Sequence, residues 1–164
     1  MGQGSIQELV AMLGDDQLAI KDFSNGKISK EKWTQGVSER MREVANIMAS
    51  HGIARKDLHG QAAYKAMIAL ILHSGDLELM RKYLNNHEEL SGVSVDISDR
   101  ATITDKMCVI SNKPQVYGTQ YKIVNNAVVF GPIEDVSTVN LRRASLGLVP
   151  IEKFKQDLEM QLTK

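Results

Sequence analysis

Few side chains in this sequence can move a proton or grip a ligand, and most of them crowd one stretch. Residues 105–132 read DKMCVISNKPQVYGTQYKIVNNAVVFGP, where polar, aromatic and glycine residues gather without helical spacing. Gln115, Tyr117, Thr119 and Gln120 cluster there around Gly118. The glutamines offer donors and acceptors but nothing titratable, so they suit ligand binding or oxyanion stabilisation rather than proton transfer. A glycine within a strand often marks close approach by a ligand or another backbone. The competing reading is a buried polar network that ties this segment to the fold.

His73 is the candidate general acid–base. Spacing puts it on the helical face of Ala62, Ala66 and Ala69, at the C-terminal end of an alanine-rich segment. The plainer reading is a terminal histidine whose cation the helix dipole favours. Asp105 is the candidate carboxylate: it can orient the His73 imidazole, or pair with Lys106 at the surface for under about 1 kcal/mol. Arg142 and Arg143 are adjacent on a helix, so at most one faces a pocket and clamps a carboxylate or phosphate. A structural or solvent-facing ion pair is the alternative. The other histidines, His51, His59 and His87, do not compose a metal site with Cys108, and Cys108 reads as a small apolar residue rather than a nucleophile. No metal and no cofactor is expected.

These residues need elements to hold them. Ile6, Leu9, Val10 and Leu13 form a short helical segment ending at Gly14, and a further turn runs from Asp15 to Phe23 before Asn25-Gly26 breaks it. Residues 1–14 are expected to be flexible or loosely docked. Ser29 caps a helix to about residue 50, with Trp33, Val37, Met41, Val44 and Met48 as its buried stripe and Gly36 weakening it by about 1 kcal/mol. Residues 54–60 form a polar connector. Residues 61–73 are apolar nearly all round, which belongs in an interior, and this is the expected central helix. Asp76 caps the next helix, over 77–85, and residues 86–95 read as a surface loop. Ser98 caps a helix over 99–110, with a strand at 108–110 as the competing reading. Residues 116–124 and 127–130 predict a hairpin turning at Asn125-Asn126, since asparagine tolerates positive φ. Ser137 caps a short helix over 138–146, and Pro150 opens the last, which buries Ile151, Phe154, Leu158 and Leu162.

The fold class is therefore α+β, mainly α: a helical domain with one late β-hairpin packed against a central alanine-rich helix. At 164 residues a single domain over 1–164 is expected. Lys and Arg total 20, as do Asp and Glu, so no global charge calls for nucleic acid or an anionic membrane. The longest apolar run, residues 66–72, is too short to span a bilayer. One cysteine and no basic-then-apolar leader point to a cytoplasmic protein, with export as a leaderless effector fitting the same residues.

One pattern links these residues. Asp16-Gln17, the alanine-rich helix ending in His73, Asp105-Lys106, QVYGTQ at 115–120, PIED at 132–135 and VNLRRASLGL at 139–148 together resemble the bacterial domain-of-unknown-function family DUF6624, with its QxYGTQ signature. The resemblance runs from about Asp16 to Phe154. Lys106 stands where that family usually carries Arg, and Asn140 where Asp is usual, which weakens a bidentate contact at either position. The resemblance implies that His73, Asp105, Gln115, Tyr117, Gln120 and Arg142 or Arg143 share one constellation, and it brings no activity with it.

The leading expectation is a polar pocket between the 61–73 helix and the hairpin that binds a small polar or peptide-like ligand. Gln115, Tyr117, Thr119, Gln120, Arg142 and Arg143 would bind it, and His73 with Asp105 would act on it by metal-independent hydrolysis or group transfer. The rival is a non-catalytic protein-interaction module of inhibitor or immunity type, favoured by the absence of any established catalytic motif. Whether the chain is an enzyme, and its oligomeric state, stay open at this level.

Overall fold

The structure, a computed structural model, describes residues 5–88, 90 and 94–162. The chain packs as two compact units, Met1–Val95 and Asp96–Lys164.

The first unit is helical. A 3-10 turn at Ile6–Glu8 leads into α1, Leu9–Ser24, followed by α2, Lys30–His51, α3, Lys56–Ser74, and α4, Leu77–Glu88. Helix α3 touches each of the other three. It buries Ala63, Tyr64, Ala66, Met67, Ile68, Leu70 and Ile71, as a segment without a polar face must. Helix α2 keeps its predicted cap and the C-terminal part of its stripe: Ser29 Oγ accepts the Lys32 N–H at 3.2 Å, and Met41, Val44 and Met48 are buried together with Ile47, while Trp33 and Val37 are half-buried. At the edge of the unit, the Phe23 and Trp33 rings stack with centroids 4.9 Å apart.

Three expectations change here. Gly14 does not end a helix; α1 runs straight through it, because continuity places both Leu9 and Asp16 in the interior. Residues 5–14 are accordingly docked, with Ile6 and Leu9 buried, while residues 1–4 lie outside the described residues. The polar connector is partly helical: α3 starts at Lys56 and kinks at Gly60, whose φ is 83°. Asp76 caps α4 as expected, its Oδ1 accepting from Glu78 and Leu79 N–H. Helix α4 continues to Glu88, so the loop expected from Asn86 starts later; its residues 89 and 91–93 lie outside the described residues.

The second unit begins with α5, Ile97–Ile110, which starts two residues before the expected boundary and keeps Cys108–Ile110 helical rather than extended. Strands β1, Tyr121–Val124, and β2, Ala127–Phe130, pair antiparallel with Tyr121 opposite Phe130 and Val124 opposite Ala127. The turn between them has Asn125 at φ 50° and Asn126 at φ 60°, the pair of positive angles a type I′ turn needs. Helices α6, Val139–Ser145, and α7, Ile151–Leu162, complete the unit. Ser137 does not cap α6; its hydroxyl donates to Asp135 Oδ1 at 2.6 Å. A lone two-stranded hairpin is marginal in water, and this one is braced by α7. Tyr121, Phe130 and Phe154 form an aromatic cluster with centroids 6.1–6.4 Å apart. The Glu159 carboxylate accepts the Val128 N–H at 3.1 Å. The expected strand over 116–124 begins only at Tyr121, and residues 116–120 are a loop.

Candidate functional site

That loop is shaped by three charged side chains acting on its main chain. Asp105, on the inward face of α5, has no exposed surface. Its Oδ1 accepts the N–H groups of Val116, at 2.7 Å, and Tyr117, at 2.9 Å. Its Oδ2 accepts the N–H of Thr119 at 2.7 Å and the Thr119 hydroxyl at 2.9 Å. From the other side, Arg142 Nε donates to the Val116 carbonyl at 2.7 Å, and Arg143 Nη1 to the Tyr117 carbonyl at 2.8 Å. Three N–H groups of the loop are thus taken by an anion, and the carbonyls of Val116 and Tyr117 by cations.

Each arginine is also tied elsewhere. Arg142 donates to the Thr138 hydroxyl and to the carbonyls of Glu134 and Asp135. Arg143 donates to the Val149 carbonyl at 2.7 Å and lies over the Phe154 ring at 5.0 Å. Burial pulls its guanidinium below the ordinary value, with Asp105 and Glu152 pulling back. Both arginines, expected as candidate ligand clamps, are held by backbone carbonyls, because the loop turns its carbonyls towards α6.

The glutamines close the loop at its base. Gln115 is buried; its Oε1 accepts the Gln120 N–H at 2.7 Å and its Nε2 donates to the Gln120 carbonyl at 2.9 Å. Gln120 Nε2 reaches the Thr102 carbonyl at 3.2 Å. Gly118, at φ 69°, leaves no space for a side chain: a Cβ there would stand 2.5 Å from Ile151 Cδ1 and 2.8 Å from Ile133 Cδ1. The close approach expected of this glycine is made by two isoleucines. Of the predicted ligand-binding set, Gln115, Thr119, Gln120, Arg142 and Arg143 are thus engaged within their own unit. Of that set, Tyr117 alone makes no side-chain hydrogen bond among the described residues. Behind the loop, burial and the nearby Asp105 carboxylate raise the Cys108 thiol above its ordinary value, in line with an unreactive cysteine.

His73 has a different carboxylate. Its Nδ1 lies 2.6 Å from Oδ2 of Asp16, and the two side chains are 39% and 2% exposed. Asp105, the expected orienting partner, has its oxygens occupied by the loop. The second oxygen of Asp16 accepts Arg40 Nε at 3.1 Å. Arg40 Nη2 stands 2.9 Å from that oxygen as an ion pair whose angle does not make a hydrogen bond. Glycine at position 36 makes room for this arginine, since a Cβ there would lie 3.2 Å from Arg40 Nη1. A carboxylate taken this far from water needs such pairing. His73 Nε2 has no partner among the described residues.

Asp16 and Arg40 were not among the candidates by residue type. The signal for Asp16 lay in the Asp16-Gln17 element of the family resemblance, while nothing in the sequence marked Arg40. Among the described residues, no group of three or more His, Cys, Asp or Glu side chains is placed to hold a metal ion, and no helix is long and apolar enough to cross a membrane. The family model described as Family of unknown function (DUF6624) matches residues 4–163. No curated protein and no solved structure matches the chain.

Proposed function

We propose that this chain, which belongs to the DUF6624 family, binds a small polar or peptide-like ligand and acts on it by metal-independent hydrolysis or group transfer, with His73 as general acid–base. The observation that carries this reading is the Asp16–His73 contact of 2.6 Å, a buried carboxylate against an imidazole that still reaches solvent. With its proton on Nδ1, directed at Asp16, the ring offers the Nε2 lone pair as a base. Nε2 takes the proton of a water or acceptor hydroxyl as that oxygen attacks the ligand, and returns it to the leaving group as the old bond breaks. Arg40 holds Asp16 in place and is a positioning residue. The setting we propose is a bacterial cytoplasm, which the single cysteine supports.

The test is a turnover screen across peptides, esters, nucleotides and amino-acid conjugates, with His73→Gln and Asp16→Asn beside the parent. A substrate should emerge whose turnover falls by about 100-fold or more in His73→Gln, the scale on which general acid–base groups act. The urea midpoint of that variant should stay close to the parent's, because Arg40 still pairs with the buried Asp16 carboxylate. A silent screen, or turnover indifferent to His73→Gln, sinks the reading.

A further inference from the structure

The second unit carries a groove that the chemistry at His73 does not use. Its volume is about 370 Å³, the size of a small ligand site. Lys122, Val124 and Val129 floor it from one face of the hairpin, and Lys106 and Val109 wall it from α5. Lys122 and Val129 are opposite one another in the register, and Val124 is two residues along, so these three side chains share a face. The other hairpin face meets Phe154 of α7.

Three features of the groove agree on what would fill it. Its charge has one sign: Lys106 and Lys122 line it, no acidic residue does, and neither lysine forms an ion pair among the described residues. Its apolar part is exposed, with Val109 at 44% and Val124 and Val129 both at 48%. Its floor ends in an open strand edge. The Val128 N–H points out of the hairpin to Glu159. Ile123, opposite Val128, therefore also directs its main-chain groups outward, along the free edge of β1, as does Tyr121 two residues away. No hydrogen bond from another described residue takes those groups. The four residues of β1 are all exposed.

From this we infer that the second unit binds an extended peptide segment as a third strand on β1, with an acidic and an apolar side chain two residues apart entering the groove. Main-chain bonds to Tyr121 and Ile123 would supply affinity and the side chains specificity, as in other strand additions. The acidic side chain meets Lys106 and Lys122, and the apolar one packs on Val109, Val124 and Val129. This goes beyond the reading at His73 and stands without it, since its test reads binding and not turnover.

The experiment uses the full chain and a fluorescein-labelled Thr-Glu-Thr-Val-Thr peptide, followed by anisotropy at low and high salt. Binding should weaken with salt and exceed that of a Thr-Lys-Thr-Val-Thr control by about tenfold or more. A Lys106→Glu, Lys122→Glu double variant should reverse the preference between the two peptides. Ile123→Pro removes an outward N–H without removing a bond of the hairpin, so it should abolish binding while circular dichroism stays unchanged. If Ile123→Pro disturbs the fold, N-methylating alternate peptide amides tests the same bond from the ligand side. Equal binding of both peptides overturns the proposal, as does affinity untouched by both Ile123→Pro and N-methylation. Concentration-dependent self-association that Ile123→Pro abolishes would assign the edge to a second copy and overturn the peptide as occupant.

Discussion

A single buried carboxylate, Asp105, decides the conformation of a whole loop. It accepts four hydrogen bonds, three of them from main-chain N–H groups, and such charge-assisted bonds are the strong ones. Asp105→Asn keeps the shape but replaces one accepting oxygen by a donor facing Thr119 or the Val116–Tyr117 pair. It should lower stability by about 3 kcal/mol in urea unfolding, since donors are left unsatisfied in the interior. Gly118→Ala tests the same loop through space. Its left-handed backbone and the contacts with Ile133 and Ile151 leave the methyl nowhere to go, and overpacking of this kind costs roughly 1–3 kcal/mol. An alanine variant as stable as the parent would show that both isoleucines can move aside.

At the scale of elements, the helices formed where their periodicity put them, although of the stripe expected on α7 only Ile151 is buried and Leu162 is exposed; the loop broke its pattern altogether. The stripe on α2 and the apolar surround of α3 are local patterns that only a helix satisfies, so both were legible. Residues 116–120 alternate well enough to pass for a strand, yet their partners are Asp105, Arg142 and Arg143, and no local pattern reports bonds made across such separations. The Asp16–His73 pair was hidden for the same reason, its members lying 57 residues apart. Gly14 shows the opposite failure. A strong local signal for a break was overruled, because α1 must carry both Leu9 and Asp16 inward. Nothing lies within 4 Å of where a Cβ would sit on Gly14. Gly14→Ala should therefore stabilise the protein by about 1 kcal/mol, read as a higher urea midpoint; no change would mean the helix is not limited by this residue.

At the scale of the molecule, the chain has two compact units and one probe in each. Trp33, the sole tryptophan, reports on the first by fluorescence, and Cys108, the sole cysteine, reports on the second by alkylation. If the units unfold separately, Asp105→Asn should lower the urea midpoint read at Cys108 and leave the midpoint read at Trp33 in place. Midpoints that shift together would show one cooperative transition through both. The family match spans both units, and the two candidate sites divide between them: an acid–base pair in one, a strand edge in the other.

The clamp on the 115–120 segment has a consequence for anyone wishing to rewrite it. Asp105, Arg142 and Arg143 hold main-chain atoms, which every residue type but proline supplies in full. The path of the loop is imposed by its surroundings, and only Gly118 must keep its identity for steric reasons. The half-buried side chains at Val116 and Tyr117 take no part in that clamp. A library varied at those two positions should display new groups at one unchanged geometry.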